Sequence, residues 1–173
     1  AVHENVKGKF IESLTKEIIL THGSDPKNSD FYSSIINSNH VERLSKLIKG
    51  YDLILGGKFE KKLKYFEPTI LEVQSIKDKI LKNEIFGPIL PIISYKNDEE
   101  LNSILIECKN PLAFYIFSNR LSYAKEIIKT EPSQYVAIIP LVITLSIPEQ
   151  LFSEKLFKLE QAIDLKLTEL GNG

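Results

Sequence analysis

The chain has 173 residues, of which 43% are hydrophobic and 26% charged, which excludes a predominantly disordered segment. Its 22 basic and 23 acidic residues leave a formal net charge of -1, which excludes the broad basic field that attracts nucleic acid. A single cysteine, Cys108, excludes an intrachain disulfide, and no apolar run approaches the ~20 residues that span a bilayer. We therefore expect a cytoplasmic globular protein without a nucleic-acid partner.

Helical signals recur along the chain. Apolar residues spaced three and four apart predict a helix over residues 5–21. Asn39 with Glu42 has the spacing of a capping box and predicts the start of a second helix, and Asn97 with Glu100 predicts a third. Further helices are predicted over 119–130 and 148–170.

Apolar and β-branched runs between the helices predict strands over 52–55, 69–73, 89–95, 112–117 and 136–145. The run 112–117 is apolar throughout, which is typical of a strand covered on both faces in a parallel sheet. Pro91 has no N–H, which favours an edge position or an irregularity in its strand. The alternation of strands and helices predicts an α/β fold, a mostly parallel sheet flanked by helices, in one domain over residues 1–173.

Two features suggest sites that we weigh against simpler interpretations. Lys58–Lys64 either binds an anion or forms a solvated hairpin or loop, and Glu60 interrupts its positive charge, which favours the hairpin or loop. Cys108 lies at the end of a predicted helix beside one lysine, which favours an inert thiol over a reactive thiolate. The histidines are scattered without partners at ligand spacing, so we predict no metal site.

The segment Asn83–Pro88 has a sharper pattern. Its Gly-Pro pair fixes a turn before the strand at 89. Glu84 and Phe86 stand two residues apart, so in an extended segment they face the same side. A carboxylate that accepts from ribose hydroxyls, beside a ring that packs on a heterocycle, can bind a nucleoside. The alternative is that Phe86 simply packs in the core.

Asn83–Pro88 matches the E-I-F-G-P signature of the aldehyde dehydrogenase superfamily, and neighbouring segments agree with that family in order and spacing. Segments upstream resemble its class 3, fatty-aldehyde-type branch. The matching segments are Glu67–Leu71, Ile89–Ile92 and Pro111–Ser118 for the superfamily, and His22–Pro26, Ile35–Asn37 and Arg43–Leu44 for class 3. The resemblance covers about residues 1–130, whereas 131–173 diverge.

This resemblance implies part of the catalytic domain of an enzyme that oxidises aldehydes to carboxylic acids with NAD or NADP. It implies that Glu84 binds the ribose on the nicotinamide side and that Phe86 packs against the nicotinamide. The family's nucleophilic cysteine, its general-base glutamate and its Rossmann domain have no counterpart in the chain. Cys108 falls after the signature, so no catalytic residue is assigned.

We therefore expect a fragment or truncated relative of such an enzyme that is inactive alone and binds NAD negligibly, since two contacts do not offset the entropic cost of binding. The alternative is a non-catalytic binding or assembly module derived from the family. An exposed sheet edge is expected to invite pairing with another chain. Either the helix over 148–170 covers apolar surface, or two chains associate into a homo-oligomer.

Overall fold

The computed structural model describes residues 1–108, 111, 113–130 and 135–139. The chain divides into two compact units, Ala1–Lys109 and Asn110–Gly173, and each is described by itself. The helix expected over 148–170 and the end of the strand expected over 136–145 lie outside the described residues. The expectation of a single domain over 1–173 stays a prediction.

The elements follow one another in an α/β order. The first unit contains β1 (Val2–His3), α1 (Glu4–His22), α2 (Ser38–Leu47), β2 (Leu53–Leu55), β3 (Phe59–Glu60), β4 (Tyr65–Phe66), β5 (Thr69–Val73), β6 (Ile89–Tyr95) and α3 (Asp98–Glu107). The second contains β7 (Ala113–Phe117), α4 (Leu121–Thr130) and β8 (Tyr135–Ile139). Short 3-10 turns occur at Pro26–Asn28 and Lys79–Leu81.

The first unit is built on a four-stranded sheet with the order β1-β6-β5-β2. Strands β5 and β6 run parallel, in register from Thr69 opposite Ile89 to Val73 opposite Ile93. Strand β1 is also parallel to β6, whereas β2 is antiparallel to β5. The predicted α/β fold with a mostly parallel sheet is confirmed.

Pro91 does not lie in an edge strand, because β6 lies between β1 and β5. The Thr69 N–H donates to the Pro88 carbonyl at 2.8 Å. Backbone groups alternate in direction along a strand, so Pro91 turns its hydrogen-free nitrogen away from β5. On that side β1 pairs only with Ser94 and Tyr95. Of the two predicted alternatives, an edge strand or an irregular strand, the edge strand was wrong, and the proline is tolerated because no strand pairs beside it in the described part of the chain.

Helix α2 begins earlier than its sequence suggested. The Asn37 side chain accepts from the His40 N–H at 3.0 Å and caps the helix, while Asn39 lies inside the first turn. The predicted capping pair of Asn39 and Glu42 was therefore wrong by two residues. Both asparagines have the right chemistry for a cap, so residue type and spacing alone did not identify which one caps the helix.

The helices predicted over 5–21, from Asn97 onwards and over 119–130 are confirmed as α1, α3 and α4. In α3 the Asn97 side chain accepts from the Glu100 N–H at 2.9 Å, and the Glu100 carboxylate accepts from the N–H of Lys96, one residue before the cap, at 2.8 Å. These two bonds satisfy N–H groups that have no partner within the helix. None of the described helices has the length and hydropathy of a membrane span.

The core of the first unit joins the apolar face of α2 to the sheet and to the turn after β5. Its buried residues are Val41, Leu44, Ile48, Phe66, Leu71, Val73, Ile80 and Ile89. Helix α1, by contrast, has no fully buried residue. Lys7 of α1 instead pairs with Glu72 of β5 at 2.8 Å, and the Ser94 hydroxyl donates to the same carboxylate at 3.0 Å. The bond from Lys7 holds the pKa of Glu72 below its usual value.

The charged stretch Lys58–Lys64 forms the predicted hairpin. Strands β3 and β4 are antiparallel, with Glu60 opposite Tyr65. Glu60 also pairs with Lys27 at 2.5 Å.

The second unit pairs β7 and β8 in parallel, which confirms strands there. The expectation that β7 is covered on both faces was wrong. Ile116 is buried, but Tyr115 is 61% and Phe117 56% exposed on the opposite face. Because alternate side chains of a strand point to opposite faces, a run that is apolar throughout does not by itself show that both faces are covered.

A pair of glycine substitutions tests the turn after β2. A Cβ on Gly56, where φ is +78°, would lie 2.0 Å from the Pro68 carbonyl oxygen, so Gly56→Ala should lower the free energy of unfolding by at least about 2 kcal/mol. Gly8→Ala is the control: it lies in exposed helix with open space around it and should raise that free energy by ~0.5–1 kcal/mol. Urea unfolding followed by circular dichroism measures both. Equal effects would contradict the close approach at Gly56.

Candidate functional site

Residues 82–88 form an irregular segment between the Lys79–Leu81 turn and β6, and a depression of about 370 Å³ lies against it. Both side chains singled out in the sequence, Glu84 and Phe86, line this depression and are exposed. The complete lining is Ile80, Leu81, Asn83, Glu84, Ile85, Phe86 and Pro91. The structure therefore brings a carboxylate and an aromatic ring to one concave surface with an apolar floor.

Phe86 has an unusual environment for a large apolar residue. Its backbone is left-handed, with φ of 46°, and its side chain is 75% exposed. The expectation of an extended segment was wrong, and so was the alternative that Phe86 packs in the core. A left-handed conformation costs a non-glycine residue roughly 1–2 kcal/mol. Neither burial nor backbone preference thus explains the position of this ring.

Two neighbouring residues of helix α2, Arg43 and Leu44, contact the irregular segment. The Arg43 Nη2 donates to the carbonyl of Ile85 and lies 3.4 Å from that of Phe86. Next to Arg43, Leu44 is fully buried, and a Cβ on Gly87 would lie 2.6 Å from its methyl carbons. The sequence indicated Leu44 as part of the apolar stripe of this helix, whereas Arg43 was named only in the class 3 resemblance. No spacing rule could have linked them to residues about forty positions later.

The floor of the depression is fixed by a second polar contact. The Tyr51 hydroxyl donates to Asp78, which also accepts from the Ile80 N–H at 3.1 Å and so caps the short turn. Burial, and then the hydrogen bond to Asp78, raise the pKa of Tyr51 to about 12. The bond from Tyr51 lowers the pKa of Asp78. Tyr51 remains a neutral donor at physiological pH and keeps Ile80 in the core.

The other residues weighed in the sequence lie apart from this depression. Cys108 is half-buried at the C-terminal end of α3. His3 caps α1, and His22 packs edge-on against the Tyr32 ring. Within the described ranges, no three His, Cys, Asp or Glu side chains gather as a metal site.

Comparison with known proteins supplies the class of protein. A family profile described as the aldehyde dehydrogenase family matches residues 1–136. Aldehyde dehydrogenase family 3 member A2 from Rattus norvegicus is 39% identical over 120 residues, covering 69% of this chain and 25% of the relative. The dimeric NADP-preferring aldehyde dehydrogenase of the same organism is 30% identical over 144 residues, covering 83% of this chain and 32% of the relative.

Solved structures agree. A substrate-bound state of Staphylococcus aureus AldH superposes with a TM-score of 0.75 at 31% identity, covering 86% of this chain and 33% of that one. Glyceraldehyde-3-phosphate dehydrogenase GapN from Methanocaldococcus jannaschii, complexed with NADP, gives 0.65 at 28% identity, covering 79% of this chain and 30% of that one. The chain belongs to the aldehyde dehydrogenase family, and the predicted likeness to its fatty-aldehyde branch is confirmed. It spans about a third or less of the lengths of these relatives.

The position of Phe86 gives a stability prediction. Phe86→Asn should leave the free energy of unfolding unchanged or raise it by up to ~1 kcal/mol, because asparagine tolerates the left-handed backbone and an exposed ring contributes little packing. Phe66→Ala is the contrast, since Phe66 is fully buried and its truncation should cost ~3–5 kcal/mol. Urea unfolding measures both variants. A loss above 2 kcal/mol in Phe86→Asn would indicate a structural rather than a ligand-facing role.

Proposed function

We propose that this chain supplies the nicotinamide-contacting segment of an NAD(P)-dependent aldehyde dehydrogenase that oxidises aldehydes to carboxylic acids. The supporting observation is the pair of exposed side chains on one depression, the Glu84 carboxylate and the Phe86 ring. The Phe86 ring is kept in solvent on a left-handed backbone, and a ligand contact explains this exposure whereas packing of the ring in the core does not.

Each side chain has a role suited to its chemistry. The Glu84 carboxylate accepts from the two neighbouring hydroxyls of the ribose on the nicotinamide side. The Phe86 ring packs against the nicotinamide and, with the apolar floor, keeps water from it. The cofactor supplies the hydride acceptor when bound, and these residues orient it. A volume of about 370 Å³ lies within the usual range for a small-molecule site.

The 173 residues by themselves are proposed to be inactive. Aldehyde oxidation in this family needs a cysteine thiolate, and Cys108 is the sole cysteine in the sequence. It lies at the C-terminal end of α3 and does not line the depression that holds Glu84 and Phe86. We also propose a cytoplasmic location, which the single cysteine in 173 residues supports.

A second candidate is a non-catalytic assembly module. One observation in its favour is that β1 pairs with β6 only at Ser94 and Tyr95, which leaves the rest of that side of β6 unpaired by β1. Another is that Tyr115 and Phe117 are exposed. Pairing of that edge with a second copy would give a homo-oligomer. The name of the rat relative, dimeric and NADP-preferring, supports association in the family.

The isolated chain should neither reduce NAD or NADP in the presence of aldehydes nor bind NAD saturably in calorimetry, because Glu84 and Phe86 alone do not offset the entropy of association. Absorbance assays with short and long aliphatic aldehydes measure turnover. Cys108→Ser serves as the matched variant and should behave like the unchanged chain. Turnover that the serine variant loses would overturn the proposed inactivity, and micromolar NAD binding would overturn the expectation of negligible binding.

A chimera tests the cofactor contacts. Residues 1–136 of this chain replace the matching part of Staphylococcus aureus AldH, to which they are similar. Glu84→Gln in the chimera should raise the KM for NAD or NADP about tenfold, because an amide is a weaker acceptor for ribose hydroxyls than a carboxylate. Glu99→Gln, an exposed change in the first turn of α3, should leave it unchanged. A folded but inactive chimera would favour the assembly module instead.

A further inference from the structure

We infer that Arg43 is the positioning residue of this site: its guanidinium holds residues 84–87 in the bent shape that turns Phe86 towards solvent. The inference deepens the proposed function, because it matters for the cofactor only if Glu84 and Phe86 contact it. The hold itself is a property of the protein without any ligand.

The geometry of the two carbonyls carries the argument. In an extended segment, successive carbonyls point to opposite sides. Here the carbonyls of Ile85 and Phe86 both turn towards one nitrogen, the Arg43 Nη2. They converge because the backbone bends at Phe86, where φ is 46°. The arginine contact and the left-handed residue are therefore two aspects of one local conformation.

Arg43 is itself fixed in place. It lies on α2 next to the fully buried Leu44, and its Nε lies 3.4 Å from the His40 Nδ1, one turn earlier. A guanidinium presents several donors in a planar fork, so one side chain can reach His40 and the carbonyls together. Charge-assisted hydrogen bonds are stronger than neutral ones, which suits a contact that opposes a disfavoured backbone conformation.

An apolar contact beside Arg43 completes the hold. Gly87 follows the bend, and its missing side chain lets the segment approach the methyl carbons of Leu44. Adjacent residues of α2 thus engage the segment, one through carbonyls and the other through close packing. Since the Ile85 carbonyl lies between Glu84 and Phe86 in the chain, release of Arg43 frees both proposed ligand contacts.

Limited proteolysis of the intact chain tests this inference. Chymotrypsin cleaves after exposed aromatic residues, and its rate at the Phe86–Gly87 bond reports how often this segment opens. Arg43→Gln should raise that rate about tenfold, while cleavage after Phe31, which is 82% exposed, stays unchanged as an internal control. Mass spectrometry of the first fragments distinguishes the two sites. Lys46→Gln, which removes an exposed charge from the same helix, should change neither rate.

Arg43→Lys separates a local from a global effect. A lysine keeps the charge but loses the planar fork, so cleavage after Phe86 should rise about threefold, again without a change after Phe31. If Arg43→Gln raises cleavage at every site, its effect is global, and Arg43→Lys then decides whether the segment also opens locally. An unchanged rate of cleavage after Phe86 in a folded Arg43 variant overturns the inference. Because no cofactor is present, this result is independent of whether Glu84 changes the KM in the chimera.

Discussion

The parallel pairing of β5 with β6 is the constraint on which the rest of the first unit depends. Parallel neighbours cannot be joined by a tight turn, so residues 74–88 must cross from one end of the sheet to the other. This crossover contains a short 3-10 turn and no α-helix, and its last residues line the candidate site. The bond from Thr69 to Pro88 fixes where the crossover ends and the ladder begins. The depression therefore lies against the end of the crossover, a stretch without regular structure that side-chain contacts hold in place.

That holding is shared between polar and apolar contacts. Tyr51 anchors the early part of the crossover through Asp78, and Arg43 anchors its end through backbone carbonyls. Ile80, between these anchors, is buried in the core beneath the site. The segment is thus tied to α2 and to the core, and Phe86 projects from it unburied. An anchored segment with an unburied ring is expected where the ring is needed for binding, because packing alone would favour burying it.

Much of the fold follows from local pattern, because spacing and capping chemistry act within a few residues. The α3 cap at Asn97 and the strand over residues 69–73 follow directly from the sequence. The segment holding Glu84 and Phe86 could be singled out by its residue types and its resemblance to a family. The left-handed backbone of Phe86 could not, because it depends on Arg43, far away in the sequence. The Asn37 cap could not be singled out because Asn37 and Asn39 share the same capping chemistry, and the exposed face of β7 depends on tertiary packing.

Pro91 affects how readily the open side of β6 can pair with a second copy of the chain. The stretch Ile89–Ile93 is apolar and uncharged, a composition that favours stacking of identical segments into cross-β fibrils. The nitrogen of Pro91, at the centre of this stretch, has no hydrogen to donate, and it faces the side of β6 where β1 does not pair at that position. A second copy annealing there in register would lack its middle hydrogen bond. Pro91 removes no hydrogen bond from the pairing of β6 with β5, but it would weaken the pairing of this edge with a second copy that the assembly alternative requires.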